Sequence, residues 1–305
     1  HQDLLEQLAP ELTRLRPACV SYTGPVCRAR LDNAPMVEIP AGRFTRGSDA
    51  AALDRGLQLC RDTYSDGDQC TRDWFEREGP VRSVSVGAFA IDKHEVTNAQ
   101  YAHCVGSGVC PPIDYGSCRL WQATGKWSTG GAPHVDLTKP DHPVICVRYA
   151  EAEGYCGWAG KRLPTEAEWE RAARGDGDSR DFPWGNDWDP KALNWGELGG
   201  FGTQDGYATT SPVGAFPKNE SPFGVRDMAG NAWEWVSDYF DDGYYADAPS
   251  SDPRNDRMSA SRVMRGGSWS FAGNGARVAY RYFGSPEIRD DAVGFRCAGQ
   301  SRGGR

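Results

Sequence analysis

Ten cysteines are the residues with the most chemistry open to them: Cys19, Cys27, Cys60, Cys70, Cys104, Cys110, Cys118, Cys146, Cys156 and Cys297. Thiolates can hold a soft metal, attack as nucleophiles or pair as disulfides. No two form a Cys-x-x-Cys pair and none stands at zinc-finger spacing from a histidine. The even count and wide spacing read as disulfides in an oxidising compartment; reduced, buried thiols of a cytosolic enzyme are the competing reading. The chain opens at His1 rather than Met, which fits a processed form. Acids outnumber bases 42 to 34, for a net charge of −8. Acids set in loops suit divalent cations. There is no basic stripe to meet nucleic acid. Ser268 and Ser270 sit in a Gly-rich stretch with no histidine nearby, so they read as a tight turn rather than a nucleophile. Lys161-Arg162 could meet an anion, though a solvated or ion-paired face is the simpler reading.

These residues need elements to hold them, and composition limits which. With 37 Gly and 20 Pro, the 305-residue chain turns often. Its 11 Trp, 12 Tyr and 11 Phe supply enough apolar area for a core. No run reaches the roughly 18 apolar residues a membrane helix needs. Leu4, Leu5, Leu8 and Leu12 predict a short amphipathic helix in an N-terminal extension, residues 1–35, with Cys19 and Cys27 closing a small loop. The main domain runs over 36–300, with 301–305 a tail. Met36–Ile39 and the alternation at Val84, Val86 and Ala88 predict strands. Charged residues 49–80 read as a loop stapled by Cys60 and Cys70. Thr97 with Gln100, and Thr165 with Glu168, are capping boxes. They predict helices stopped by Gly106 and Gly175, with a third from Arg148 to Trp158. Few long elements and central helices indicate α+β.

Several blocks, in order, resemble the formylglycine-generating enzyme family, also called the sulfatase-modifying-factor domain. They include Asp92–Asn98, Gly160–Glu170, Phe182-Pro183-Trp184-Gly185, Gly230–Trp235, Arg265-Gly266-Gly267-Ser268-Trp269 and Gly294-Phe295-Arg296-Cys297. Together with Met36–Phe44 and His142-Pro143-Val144 they span about 36–298. The resemblance implies a compact, irregular fold related to C-type lectins, with calcium in structural loops.

For one calcium site it implies Asn194 and Asp205 as side-chain ligands and Trp195 and Tyr207 as carbonyl ligands. For a second it implies Asp227 and Glu234, with carbonyls from Gly230 and Ala232. Trp233 and Trp235 read as core beside that loop, and Phe182–Gly185 as a structural turn. In active members a pair of cysteines shortly after the Gly-Gly-Ser binds copper(I) and engages the substrate cysteine. Counted from Gly266-Gly267-Ser268, those positions are Phe271 and Ala276, which carry no sulfur. Copper is therefore not expected. Iron-dependent relatives, the sulfoxide synthases, use a His-x-x-x-His-x-Glu pattern that none of the five histidines makes. The family's peptide groove would be lined here by Ser268, Trp269, Phe271, Arg277, Tyr280 and Arg281.

The resemblance also pairs Cys156 with Cys297. Nearest neighbours then give Cys19–Cys27, Cys60–Cys70 and Cys104–Cys110, which leaves Cys118–Cys146. The expected function is periplasmic or secreted recognition or assembly, with a peptide or protein partner and no formylglycine generation. The alternative is a non-standard oxidase of periplasmic maturation, like relatives that act on the siderophore pyoverdine. Standard cysteine oxidation is the least favoured.

Overall fold

The computed structural model describes residues 19–23, 26–29, 31–64, 66–122, 126–130, 136–177, 179–196 and 205–301, with backbone alone over 19–23 and 26–28. The expected helix at Leu4–Leu12 and the Cys19–Cys27 bridge lie outside the described residues and side chains.

Thirteen strands and six α-helices are present among the described residues. The main sheet is antiparallel, in the order β1 (Cys19–Thr23), β2 (Val26–Ala29), β3 (Pro35–Ile39), β6 (Phe89–Asp92) and β13 (Ala298–Gln300). Because β2 pairs with β3 through Cys27–Met36, the sheet runs unbroken across residue 35. A second sheet holds β11 (Tyr282–Gly284), β10 (Arg262–Arg265), β9 (Trp233–Tyr239) and β12 (Val293–Gly294), with β12 parallel to β9. Two hairpins complete the strands: β4 (Gly42–Arg46) with β5 (Arg82–Val86), and β7 (Arg119–Trp121) with β8 (Trp127–Thr129).

The first helix, α1 (Ala50–Thr63), corrects the loop expected over 49–80. Asp49 caps it by accepting from the Ala52 amide at 2.8 Å. Ala52, Leu53, Gly56 and Cys60 then face inward. The short α2 (Asp73–Glu76) follows. Helices α3 (Asn98–Gly106) and α5 (Glu166–Arg174) carry both halves of their capping boxes, and Gly175 ends α5 at φ 82°. Between them lies α4 (Tyr149–Trp158), and α6 (Tyr244–Asp247) is a single turn. Phe182 and Gly185 exchange backbone hydrogen bonds, closing the expected turn.

Among the described side chains four bridges staple the fold: Cys60–Cys70, Cys104–Cys110, Cys118–Cys146 and Cys156–Cys297. The last spans 141 residues and ties α4 to the turn before β13. Aromatics fill one large core, where Tyr155 packs on Tyr101 and Phe295.

Helix α5 is unusual because all nine residues are buried, charged ones included. Burying a charge is costly unless it is paired and hydrogen-bonded. Glu166 accepts from Arg46, Arg265 and Arg281. Glu170 accepts from Arg174, Arg265 and the Gly47 amide. Lys161 sits between Asp32 and Asp92 at 2.7 Å from each, so the Lys161-Arg162 pair is ion-paired rather than open to an anion.

Candidate binding cleft and metal loops

The segment Arg265–Arg281 links β10 to β11. Gly266 and Gly267 have φ of 100° and 80°, where a side chain is strained. At Gly267 a Cβ would also lie 2.9 Å from the Ala276 amide nitrogen. The turn therefore needs glycine, and it brings Ser268–Phe271 back against the 3₁₀ turn Gly273–Ala276.

The inner face of this segment is ionic. Arg277 holds both oxygens of Glu78 at 2.9 Å, and Arg281 lies 2.7 Å from Glu166. Burial alone would raise the Glu166 carboxyl, but Arg281, Arg46 and Arg265 overcome it and hold it at about 2. This corrects the expected cleft. Arg277 and Arg281 are buried with their guanidinium groups committed to carboxylates, so neither faces a ligand. Ser268, Trp269 and Tyr280 are also buried. Trp269 spends its indole N–H on the Asp291 carbonyl at 2.8 Å.

Phe271 is the expected residue that does line a cavity. That cavity measures about 520 Å³ and is lined by residues from all four strands of the second sheet. Its walls are Phe271, Trp233, Tyr282 and Trp127, with Arg119 and Asp290 at one side. Trp233 stacks on Tyr282 with ring centroids 4.7 Å apart, and Phe271 meets Trp233 edge-on at 5.2 Å. Trp233 is thus both core and wall. Arg119 lies over the Trp127 ring at 4.5 Å and 3.1 Å from Asp290 Oδ2. Sequence reading missed Trp127, Arg119, Tyr282 and Asp290 because β7–β8 and 282–290 carry no block of the resemblance. Beside the cavity, burial pushes Asp291 up to about 8. One of its oxygens accepts from the Trp121 amide and the other has no partner among the described residues.

Ala276 is buried against Leu193, Trp195 and Ala229, so the two counted positions hold a cleft ring and a packed methyl. No cysteine occurs between Cys156 and Cys297 in the sequence.

The two loops expected to hold calcium differ. Asn194 donates its amide N–H to the Thr209 carbonyl and to Asn231, leaving Oδ1 buried without a donor among the described residues. Asp205 accepts from the Trp195 and Tyr207 amides, which draws those two residues onto the same carboxylate. An orphaned oxygen beside a loop-bound carboxylate fits a hard cation. In the second set, Asp227 accepts from His94 and the Gly214 amide at 2.8 and 2.7 Å. Glu234 accepts from both Nε and Nη2 of Arg296 and from the Trp169 indole, so its charge is already met. Glu95, close by, has one oxygen on Asn231 and one without a partner among the described residues. Burial and then the Asp227 charge push it well above the usual carboxylate range. Among the described residues, no three His, Cys, Asp or Glu side chains converge as metal ligands, and any shell at Asn194 would be mixed.

The sulfatase-modifying factor enzyme 1-like domain matches residues 23–301. The chain belongs to that family. It is 34% identical over 318 residues to the formylglycine-generating enzyme of Streptomyces coelicolor, covering 92% of this chain and 94% of the relative. It is nearly as similar, at 33%, to the inactive C-alpha-formylglycine-generating enzyme 2 of Bos taurus, over 86% of this chain and 87% of that one. Among solved structures, PvdO from Pseudomonas aeruginosa superposes with a TM-score of 0.68 at 30% identity, covering 92% of this chain and all of that one. Family membership accounts for the fold, while active and inactive relatives stand equally near, so activity rests on the cleft.

Proposed function

We propose that this chain is an extracytoplasmic member of the family that binds a peptide or protein partner in the aromatic cleft and does not generate formylglycine. What supports this is that the two positions counted from the Gly-Gly-Ser turn, Phe271 and Ala276, carry no sulfur. Two thiolates are what a copper(I) site needs, and neither a phenyl ring nor a methyl group offers a lone pair. The eight cysteines with described side chains are tied in disulfides, so none can be borrowed. The same bridges support an oxidising compartment. No helix among the described residues is long and apolar enough to cross a membrane. Aromatic walls give stacking area and edge contacts that suit side chains of an extended peptide.

The test is to incubate the protein with a sulfatase-type Cys-x-Pro-x-Arg peptide, copper and reductant. No aldehyde should form at the cysteine; aldehyde above a no-protein control overturns the reading. An array of short peptides should in parallel yield sequences whose binding is lost in Phe271→Arg.

The likeness to PvdO supports a second reading, a non-standard oxidase of periplasmic maturation. Native mass spectrometry with metal analysis separates the two. A stoichiometric redox metal or organic cofactor favours the oxidase, and calcium alone favours binding. We also propose calcium at Asn194 and Asp205, where it would supply the positive charge that the unpartnered Asn194 oxygen and the Asp205 carboxylate lack.

A further inference from the structure

Outside the cleft, three reactive side chains are sealed together. Asp32 stands in the turn before β3, Asp92 ends β6, and Lys161 follows α4 with its amide on the Cys156 carbonyl at 2.7 Å. Strands β3 and β6 pair through Met36 and Asp92, which brings both acids to the same end of the pair. Lys161 Nζ lies 2.7 Å from Asp32 Oδ2 and 2.7 Å from Asp92 Oδ1. The Lys161 and Asp32 side chains are 0% exposed and that of Asp92 is 3% exposed. The carboxyl groups are also tied down. Asp32 Oδ1 accepts from the Ala34 amide at 3.1 Å, and its Oδ2 accepts from the Tyr155 hydroxyl at 3.0 Å. Asp92 Oδ2 accepts from the Cys297 amide at 2.9 Å. One amine is thus fixed between two carboxyl groups and closed off from solvent.

We propose that Lys161 and Asp32 condense into an intramolecular isopeptide bond, with Asp92 as the proton carrier. A bond forms between Lys161 Nζ and Asp32 Cγ, the Cγ–Oδ2 bond breaks, and one water leaves; nothing is oxidised or reduced. Two protons pass from the nitrogen to Oδ2. The first crosses the existing contact directly and leaves a neutral amine beside a carboxylic acid. The second travels through Asp92 Oδ1 as the tetrahedral adduct collapses. The Ala34 amide polarises Oδ1, which stays as the new carbonyl, and the Tyr155 hydroxyl steadies the leaving oxygen. Burial works against the Lys161 charge and the two carboxylates more than restore it, so the nitrogen becomes nucleophilic only as its proton crosses. Burial pushes Asp92 up to about 6, which suits a group that must take up a proton and release it. Contact geometry supplies the driving factor. Fixed orientation is worth an effective concentration on the order of 10⁵–10⁸ M when the reacting atoms lie about 3–3.5 Å apart, as an amine hydrogen-bonded to a carboxyl group does. Condensation also removes a buried ion pair, whose desolvation is costly. This modification is independent of what the cleft binds.

The intact mass of the wild-type protein, with its disulfides reduced and alkylated, tests this. A mass one water below that of the sequence is expected; the full mass overturns the inference. Tryptic digestion should give one linked peptide joining the Asp32 segment to the Lys161 segment, with no cleavage after Lys161. A link from Lys161 to Asp92, or a water loss that maps elsewhere, overturns the assignment. Lys161→Arg keeps a cation between the carboxyl groups, so it should melt cooperatively and show the full mass for its sequence. A water loss that survives in Lys161→Arg also sinks the bond. Asp92→Asn, sampled directly after purification, should be mostly unlinked and gain the bond slowly; complete linkage in that first sample removes Asp92 as the proton carrier. If neither variant folds, the wild-type mass and the linked peptide carry the decision.

Discussion

The segment Arg265–Arg281 presents two faces to two different environments. Behind it, Arg265, Arg277 and Arg281 are buried against Glu166, Glu170 and Glu78 on α5 and on the turn after α2. In front of it, Phe271 joins Trp233 and Tyr282 on the wall of an open cavity. The back consists of directional ion pairs that fix the backbone. The front consists of rings, which tolerate exchange of partners because stacking is less demanding in geometry than a forked ion pair. A fold arranged this way can change what its cleft does, by replacing Phe271, without disturbing the frame that positions it.

The largest effect should come from breaking the back. Glu166→Gln removes the one carboxylate shared by Arg46, Arg265 and Arg281, leaving buried positive charge unmatched. Loss of one partner of a buried pair costs about 3–5 kcal/mol, and denaturant titration should show it. A loss below about 1 kcal/mol would mean that the ionic layer does not hold the segment. The pH dependence has a defined sign. With Glu166 held at about 2 against an ordinary 4.5, its stabilisation is complete above pH 4.5 and is lost as pH falls toward 2. The difference between wild type and Glu166→Gln should therefore narrow across that window.

Next in size is the opposite pH response in front. Asp291 is raised to about 8 from an ordinary 3.8 by burial. Its contribution is full below pH 3.8 and is lost as pH rises toward 8. Asp291→Asn cannot ionise, so it should gain on wild type between pH 5 and pH 8, by about 3–4 kcal/mol. Parallel pH profiles of the two proteins would break the contrast between a back that needs its charge and a front that carries one at a cost.

Calcium should act on neither face but on the loop near Asn194. A ligand that binds only the folded state adds about 2.7 kcal/mol at a hundredfold excess over its Kd. Melting midpoints with chelator and with millimolar calcium should differ, and Asn194→Ala should abolish the difference. Equal midpoints in metal-free wild type would remove the site.

Much of the frame was legible in sequence. The capping boxes at Thr97 and Thr165 are local, short-range devices, and both form as read. Cys60–Cys70 and Cys104–Cys110 are near neighbours, so they needed no tertiary knowledge. Helix α1 was hidden because its charged residues and Gly56 mask a narrow apolar stripe of Ala52, Leu53 and Cys60. The cleft was the least legible part. Arg277 and Arg281 look like ligand-binding arginines when the Glu that neutralises each, 199 and 115 residues away, cannot be assigned from sequence. The real wall is assembled from Trp127, Trp233, Phe271 and Tyr282, residues far apart in the chain with no shared period.

The smallest stability effect should come from Phe271→Ala, and it is the sharpest probe of the comparison. The ring is half-buried and touches Trp233, Tyr280 and Tyr282 at centroid distances of 5.2, 6.0 and 5.7 Å. A fully buried Phe→Ala costs about 3–5 kcal/mol, so a ring that already faces a cavity should cost about half, roughly 1–2 kcal/mol. Truncation enlarges a space that solvent already reaches, so no sealed void is left behind. The ion pairs of Arg277 and Arg281 lie on the other side of the segment and should keep the backbone in place. Peptide binding should nevertheless fall by at least about tenfold, since the ring supplies one wall of the site. Urea titration together with a binding isotherm reads both quantities on one sample. A large stability loss with binding to the surviving folded protein intact would invert the assignment, making Phe271 a strut of the frame and moving the site elsewhere.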